Sequence, residues 1–312
     1  MTIDNPRSLE AAWRRNCDGI NLDLEDGLGE PHKEYARRLP QKVYPEVSKG
    51  GAAISVRINH MYWEADLEAA VWPGLDTIRY PKTESPKEIR NIDGKISELE
   101  RQRGMRPGTV KIEPLIGTVR GVVEAYEIAS SSSRIKGFSG GGLANGGSRD
   151  IAMESIFGIQ RDHYGIGECF LAACVLGLQW EGGVFVQPSS CRVMDAEDAS
   201  LQAIANRKAG LYIRAGCVHP NQVEPLNRGY TPTQEEVEES QQMLDLFEEL
   251  DAQGEVETGL NGKVVDKWEA DRARKLIVWA EACDRKEREK AEARERAEAE
   301  EEMTAARSFL RG

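Results

Sequence analysis

Strand-like and helix-like segments alternate along this chain, and this alternation constrains its fold more than any other feature. Segments with helical periodicity separate seven short runs of strand-forming residues, which are GINLDLEDG, AAISVRIN, DTIRYPKTES, TVKIEPLIG, IKGFSGGG, GVFVQPSS and LYIRAGCVHP. Strands that are separated by helices of about 10 to 18 residues are typical of parallel α/β proteins. The sequence therefore predicts a parallel sheet covered by helices.

The residues that end these runs favour one type of α/β fold. Polar, charged or glycine residues follow each run, and a TIM barrel carries its site at the C-terminal ends of its strands. An open doubly wound sheet would instead have a glycine-rich fingerprint after its first strand, where this chain has LDLEDG. We predict a (β/α)8-type barrel over residues 1–250 that is incomplete at its N-terminus, with seven strands. A lid segment over 251–283 and a charged helical tail over 284–312 are expected to follow.

Glu113 is the first candidate functional residue, because it lies within the apolar run TVKIEPLIG. A carboxylate at the end of a buried strand is costly unless it is paired, hydrogen-bonded or bound to a metal. When this segment is considered by itself, a structural ion pair is a sufficient explanation for Glu113. The charged ends of the other runs favour a functional site.

Composition limits the class of protein. The chain has 312 residues, 30% of them charged, and a net charge of -12, which argues against nucleic acid as the main partner. No apolar run approaches the ~18–20 residues that a membrane span needs, and no signal peptide is recognisable. The 6 cysteines are scattered without a CxxC pair, so neither a zinc site nor a disulfide framework is indicated. A reduced, cytoplasmic enzyme is expected.

Eight motifs together carry a family resemblance. They are LDLEDG, the K-x-x-A-R set that begins at Lys33, VRIN, YPKTES, IEPLIG, VHPNQV, TPTQEEVE and GLNGKVVD, in this order. The set resembles the HpcH/HpaI aldolase family, in its citrate lyase β-subunit-like branch with the malyl-CoA and citramalyl-CoA lyases. The resemblance spans about residues 5–283. It implies a (β/α)8 barrel, usually trimeric, that cleaves or forms a carbon–carbon bond between an acyl-CoA and a keto acid chelated by Mg²⁺.

The resemblance also implies roles for particular residues. Glu113 matches the first metal ligand, and Arg57 matches the arginine that binds the keto-acid carboxylate and stabilises the developing oxyanion. Glu25 and Asp26 match an acidic pair that holds metal-bound water. Asp266 matches the aspartate of a C-terminal lid that transfers a proton, often in a neighbouring subunit's site.

Two basic residues and one amide are assigned by the same resemblance. Lys33 and Arg37 resemble basic positions near the coenzyme A entrance, although a solvated helix face would explain them equally well. Asn145, within GGGLANGG, aligns with the aspartate that is the family's second metal ligand. Since an amide oxygen carries no charge, weaker Mg²⁺ binding is expected there.

The two ends of the chain differ from the family pattern. The sequence begins just after the family's first strand, and residues 1–5 are too few to replace it, so a seven-stranded remnant would leave two unpaired edges. Residues 284–302 are nearly all charged or alanine, which predicts a solvated helix without a leucine heptad. We expect an Mg²⁺-dependent lyase that acts on a β-hydroxyacyl-CoA. The alternatives are a non-catalytic barrel that serves as a binding or scaffold subunit, and a metal-dependent aldolase acting on free keto acids.

Overall fold

The computed structural model describes residues 1–140, 162–183, 196–208, 214–217 and 219–309. Seven parallel strands form one sheet in chain order, each paired with the next. They are β1 (Gly19–Asp23), β2 (Ala53–Arg57), β3 (Thr77–Tyr80), β4 (Lys111–Ile116), β5 (Gly137–Gly140), β6 (Gln179–Gly183) and β7 (Arg214–Gly216). This topology confirms the predicted α/β fold with a parallel sheet in barrel order.

Helices precede, connect and follow the strands of the sheet. They are α1 (Pro6–Ala12), which precedes β1 and runs into a 3-10 turn (Trp13–Arg15), α2 (Glu30–Ala36), α3 (Pro40–Val47), α4 (Trp63–Ala70), α5 (Pro86–Gln102), α6 (Val119–Val123), α7 (Ala125–Ala129), α8 (Asp162–Leu176), α9 (Ala196–Lys208), α10 (Val223–Tyr230), α11 (Gln234–Gln253) and α12 (Lys267–Phe309). The 3-10 turn Pro220–Gln222 precedes α10, and an antiparallel hairpin of β8 (Glu257–Leu260) and β9 (Lys263–Asp266) precedes α12.

Helical periodicity in the sequence predicts one helix over residues 31–47 and another over residues 118–131, and the structure differs from both of these predictions and from one predicted strand. Residues 31–47 form two helices, because Pro40 lacks an N–H and starts a new helix rather than continuing one. Residues 118–131 form the two short helices α6 and α7. β6 covers Gln179–Gly183, whereas the run predicted for this strand begins at Gly183 and continues into residues 184–190, outside the described part.

The strands carry two different faces. Apolar side chains such as Ile20, Leu22, Ile54 and Val56 are buried in the main core, to which Ile89, Ile92, Ile96 and Leu99 of α5 also belong. Polar side chains alternate with them and meet across neighbouring strands, because successive residues of a strand point to opposite faces. Ser55 donates a hydrogen bond to Asn21 on this polar face, at 3.1 Å.

The polar face lies inside a curled sheet. Arg214 of β7 lies within 3.4 Å of Glu113 of β4, although β5 and β6 come between them. In a flat sheet, three strand spacings would separate these backbones by about 14 Å, and side chains that stand roughly perpendicular to the sheet would not meet across that distance. The contact therefore requires the barrel-like curvature that the sequence predicted.

The first residues of the chain lie beside β1. Thr2 forms a parallel bridge with Asp23, the carbonyl oxygen of Met1 accepts the Asp23 N–H at 2.9 Å, and Ile3 is fully buried. We predicted that residues 1–5 could not replace a whole strand, and a single bridge is what they form. Among the described residues, no ladder joins β7 to β1.

The charged C-terminal segment belongs to one continuous helix that packs on the barrel. Lys290 is fully buried, and its ammonium lies 2.6 Å from Asp18 Oδ1, 2.6 Å from Glu287 Oε1 and 3.1 Å from the carbonyl oxygen of Asn16. Ala297 is also buried, and Lys286 donates to the carbonyl of Gly51. The prediction that this segment is surrounded by solvent is wrong for the face that contacts the barrel, because long lysine stems and alanines bury well once their polar ends are paired.

None of the helices within the described ranges combines the length and the low charge that crossing a membrane would require. Cys17, Cys169, Cys174, Cys217 and Cys283 are free thiols.

Candidate active site

Arg57, at the C-terminal end of β2, is held by two carboxylates that follow β1. Its Nε donates to Asp23 Oδ1 at 2.9 Å, and its Nη2 donates to Asp23 Oδ2 at 2.5 Å. Its third nitrogen, Nη1, lies 3.3 Å from Glu25 Oε2. Such a two-bond fork fixes the plane of the guanidinium. About a quarter of the Arg57 side chain remains exposed, so a ligand can reach it.

The pKa values of Asp23 and Glu25 are shifted in opposite directions, although Arg57 lowers both of them. Burial alone would raise the pKa of Asp23, but the hydrogen bonds and charge of Arg57, with the N–H groups of Glu25 and Gly27, hold that pKa below its ordinary value. Burial raises the pKa of Glu25, and the negative charge of Asp26 adds to this, against the lowering by Arg57 and Lys82. Two neighbouring carboxyl groups thus have pKa values displaced in opposite directions, a pattern found where one acts as a fixed charge and the other exchanges protons.

Asp26 is exposed, unlike its two acidic neighbours. β1 ends at Asp23, and Glu25 and Asp26 lie in the turn that follows it, where Glu25 packs against Arg57. Its described influence on the pocket is electrostatic, through the pKa of Glu25.

Lys82 adds a second cation beside Glu25. Its Nζ lies 3.8 Å from Glu25 Oε1, and its backbone has a positive φ of 52°. Non-glycine residues rarely adopt this left-handed conformation, which costs about 1–3 kcal/mol when the surrounding structure imposes it. Lys82 follows β3 by two residues, so its ammonium lies beside the carboxylates at the C-terminal end of the sheet.

Glu113 is buried and lies between two arginines. Its Oε1 lies 3.0 Å from Arg79 Nη2, and its Oε2 lies 3.4 Å from Arg214 Nη2. Arg79 comes from the adjacent strand, and Arg214 reaches across the interior from β7. The carboxylate is therefore compensated by ion pairs, as the sequence argument required of a buried acid.

The two clusters form one charged layer. Asp23 is in register with Arg57, Arg57 with Arg79, and Arg79 with Glu113, across four adjacent parallel strands. Residues in register point to the same face. The predicted site residues Arg57 and Glu113 thus lie at the same end of the sheet, and Glu25 contacts Arg57 directly.

The described residues do not by themselves form a site for a divalent cation. Each oxygen of Glu113 faces a guanidinium group, and a metal ion there would be repelled by both. Within the described part of the chain, no three His, Cys, Asp or Glu side chains come together in a way that could hold a metal ion. Asn145, the predicted second ligand, lies outside the described residues.

The start of the glycine-rich loop is visible at Gly140, the last residue of β5. Its φ is 134°, and a Cβ placed there would lie 2.0 Å from the carbonyl oxygen of Ile116. Only glycine fits such a close approach of two backbones. Gly140 therefore lies directly beside the end of β4.

Lys33 and Arg37 take part in a buried polar network rather than forming a solvated helix face. Lys33 Nζ donates to Asn59 Oδ1 at 2.5 Å, and Arg37 Nε donates to Asp66 Oδ1 at 2.8 Å. Asp66 is fully buried and also accepts both N–H groups of Asn59, backbone and side chain. The cations lie 5.7 Å and 5.4 Å from the ring centre of the half-exposed Tyr62. They stabilise the loop after β2, and any contact with coenzyme A stays a prediction.

Asp266 is not brought to the pocket by the described contacts of this chain. It ends β9, and its Oδ1 accepts the Glu269 N–H at 2.9 Å, which caps the first turn of α12. The hairpin packs on α11 and α12 through a small cluster that includes Val265, Met243 and Ala273. Its predicted lid role in this or a neighbouring subunit remains untested.

Sequence reasoning missed three residues that organise the pocket. Asp23, which holds Arg57, was readable from strand parity, since Asn21 and Asp23 alternate with the apolar residues Ile20 and Leu22. Arg79 was readable in the same way from its place in DTIRYPKTES. Arg214 carried no local signal, because its partner is three strands away.

Comparison with known proteins agrees with this fold and layout. Residues 1–142 match the family described as HpcH/HpaI aldolase/citrate lyase. The citrate lyase subunit beta of Leuconostoc mesenteroides subsp. cremoris is 27% identical over 294 residues, covering 89% of this chain and 91% of that protein. The L-malyl-CoA/beta-methylmalyl-CoA lyase of Rhodobacter capsulatus is 26% identical, covering 88% and 91%.

A solved structure shares the fold. The CitE protein of Mycobacterium tuberculosis, in complex with magnesium, acetoacetate and coenzyme A, superposes with a TM-score of 0.66 at 22% identity. The superposition covers 90% of this chain and 96% of that one. This chain is therefore similar to the HpcH/HpaI aldolase/citrate lyase family over residues 1–142, is similar to the citrate lyase and malyl-CoA lyase relatives over most of its length, and shares the fold of the solved structure.

Proposed function

We propose that this protein is a carbon–carbon lyase that cleaves a β-hydroxyacyl-CoA of the citryl-, citramalyl- or malyl-CoA type into an acyl-CoA and a keto acid. The observation that carries the proposal is the arrangement of Arg57 and Glu25 at one mouth of the curled sheet. A fixed cation there lies 3.3 Å from a buried carboxylate whose pKa is raised. Relatives named as citrate lyase beta subunits and malyl-CoA lyases support the reaction class.

Arg57 supplies the positive charge that this reaction needs. Cleavage turns the substrate's β-hydroxyl into the carbonyl of a keto acid, and negative charge builds on that oxygen as its proton leaves. A guanidinium that Asp23 fixes in place stabilises such charge without reorganising. The same group is suited to binding the adjacent carboxylate.

Glu25 is proposed as the base. It takes the proton of the β-hydroxyl, the carbon–carbon bond breaks as the carbonyl forms, and the bonding electron pair passes to the thioester as an enolate. A proton delivered to the enolate carbon gives the acyl-CoA. Since a carboxylate with a raised pKa is a stronger base than an ordinary one, burial of Glu25 serves this step. Asp266 is the proposed donor of the final proton.

Self-association is part of the proposal. The hairpin that carries Asp266 exposes Val256, Val264 and the nearby Trp268, whose exposed fractions are 78%, 57% and 73%. Exposed apolar side chains that lie close together in sequence make this segment a candidate for a protein contact. In a homo-oligomer, a trimer by the family resemblance, this hairpin would contribute Asp266 to a neighbouring site.

Magnesium and coenzyme A enter the proposal from the relatives. The M. tuberculosis protein was solved with both. For this chain, Mg²⁺ dependence stays a prediction that involves Glu113 and Asn145, and coenzyme A binding near Lys33 and Arg37 stays one as well. When bound, Mg²⁺ would act as a Lewis acid on the keto acid's oxygens.

A non-catalytic binding or scaffold subunit is the second candidate. The ion pairs of Glu113 with Arg79 and Arg214 favour it, because they occupy the predicted metal ligand.

Turnover measurements separate the two candidates. Purified protein is incubated with malyl-CoA, citramalyl-CoA or citryl-CoA, with Mg²⁺ or with EDTA, and the released keto acid is followed. We expect cleavage of at least one thioester, and a loss of about a hundredfold or more in Arg57→Lys, which cannot reproduce the fork to Asp23. The surface variant Arg38→Lys is the matched control. Absence of turnover with all three substrates in both conditions would overturn the lyase proposal.

A further inference from the structure

Lys82 is a cation beside the proposed base that has no role in the reaction described so far. Its ammonium lies 3.8 Å from Glu25 Oε1, and 40% of its side chain is exposed. Among the described residues, Glu25 is the one carboxylate within ion-pair distance of Lys82, and 3.8 Å is longer than a hydrogen bond. The ammonium therefore has N–H donors that a ligand entering from solvent can use.

The residues that follow Lys82 hold its loop in place. Thr83 is fully buried, and its N–H donates to the carbonyl oxygen of Leu115 at 3.2 Å. Glu88 Oε2 accepts the N–H groups of the two residues after Thr83, at 2.8 Å and 2.9 Å. With the loop held in this way, Lys82 keeps a φ of 52°, which non-glycine residues rarely adopt. Backbone strain that neighbouring contacts impose is found most often at functional sites.

Glu25 lies between two cations. Arg57 Nη1 is 3.3 Å from Glu25 Oε2, and Lys82 Nζ approaches the other oxygen, Oε1. The proposed cleavage places negative charge on two substrate oxygens, that of the β-hydroxyl as its proton leaves and that of the thioester as the enolate forms. The carbons that bear these oxygens are separated by a single carbon. A substrate whose β-hydroxyl contacts Glu25 and Arg57 therefore brings its thioester oxygen to the same small region, where Lys82 is the second cation.

We propose that Lys82 stabilises the enolate oxygen of the thioester, an inference that rests on the proposed lyase function. As the carbon–carbon bond breaks, its electron pair forms the double bond of the enolate, and the thioester oxygen gains the negative charge. The Lys82 ammonium donates a hydrogen bond to this oxygen and transfers no proton to it. Protonation of the enolate carbon then restores the thioester carbonyl. A contact that strengthens only as charge develops raises kcat rather than substrate affinity.

Steady-state cleavage of malyl-CoA, citramalyl-CoA and citryl-CoA in the presence of Mg²⁺ tests the proposal. Lys82→Met is expected to lower kcat about a hundredfold and to change KM by less than about threefold, because it removes a donor that acts in the transition state. Lys82→Arg keeps a cation and should recover part of the lost rate. Lys42→Met, at an exposed lysine of α3, is the matched control and should behave as the wild type does. If Lys82→Met does not give a folded circular-dichroism spectrum, Lys82→Gln takes its place.

Deuterium exchange of acetyl-CoA and propionyl-CoA in D₂O, followed by mass spectrometry, measures enolate formation without carbon–carbon cleavage. Because this exchange does not involve the hydroxyl proton that Glu25 takes, it separates a direct role of Lys82 from an effect through Glu25. The wild type is expected to exchange the α-hydrogens, and Lys82→Met to exchange them about a hundredfold more slowly.

The two assays distinguish failure of this inference from failure of the proposed function. A wild-type protein that cleaves no thioester but exchanges α-hydrogens in a Lys82-dependent way refutes the proposed function and leaves this inference standing. A Lys82→Met variant that cleaves and exchanges as the wild type does, or that raises KM with kcat unchanged, overturns the inference alone. A wild-type protein that neither cleaves nor exchanges overturns both.

Discussion

Replacing Asp23 by asparagine should destabilise the protein, because Asp23 rather than its exposed neighbour Asp26 holds Arg57. The aspartate accepts two hydrogen bonds from Arg57 and two from the N–H groups of Glu25 and Gly27, at 2.9 Å and 3.0 Å. Asparagine keeps one acceptor oxygen and turns an NH₂ group towards other donors. The side chain at position 23 has little room to move away, because it packs closely against Gly27: a Cβ on Gly27 would lie only 2.5 Å from Asp23 Oδ2.

The size of the effect follows from burial. Breaking a buried ion pair typically costs about 3–5 kcal/mol, because one charge is left uncompensated. The Arg57 side chain is 28% exposed and keeps its contact with Glu25, so solvent and the second carboxylate offset part of that cost. We expect a loss of about 2 kcal/mol in the free energy of unfolding. If the free energy of unfolding falls by about 3 kcal/mol per molar urea, the urea concentration at the unfolding midpoint should fall by roughly 0.7 M.

The assay is urea unfolding followed by tryptophan fluorescence, with Asp26→Asn as the matched control. That change removes the same charge from an exposed position and should alter stability by less than about 0.5 kcal/mol. The pH dependence gives a second readout. Because the pKa of Asp23 is lowered in the folded state, its stabilising contribution is present above the unfolded pKa of about 3.9 and is lost as pH falls through the lower folded pKa. Equal midpoints for the two variants at neutral pH would refute the assignment of Asp23 as the residue that holds Arg57.

Two further predictions address the pKa of Glu25 and the C-terminal helix. The pKa of Glu25 is raised, so its ionised form costs stability at neutral pH, and Glu25→Gln should unfold at an equal or higher urea concentration than the wild type at pH 7. The difference in stability between Glu25→Gln and the wild type should shrink as pH falls through the folded pKa towards the unfolded value of about 4.3. A Glu25→Gln variant that is clearly less stable than the wild type at pH 7 would contradict the prediction. Lys290→Met keeps the buried stem but removes the ammonium that lies near three oxygens, so it should cost about 1–2 kcal/mol in urea unfolding. The exposed Arg288→Met is its control, and equal stability of the two variants would mean that the helix does not depend on this contact.

The fold was largely readable from the sequence because its information is local. Alternating apolar and polar residues in GINLDLEDG and AAISVRIN define strands with two faces, and helical periodicity between them defines the connections. Proline and glycine residues mark where elements end, although Pro40 divides a segment predicted as one helix. The same local pattern puts Arg57 at the C-terminal end of its strand and Glu25 just after the end of β1, where a parallel sheet carries its site, whereas Glu113 lies within β4.

The sequence alone therefore determined which side chains face the interior and at which end of the sheet they lie. Which of these residues meet was decided only by the tertiary structure. Arg214 reaches Glu113 because the sheet curls, and Lys290 is buried because the C-terminal helix returns to the loop before β1. Strand periodicity fixes the direction of a side chain, but the partner of a buried charge depends on register and curvature, which arise when distant segments pack together.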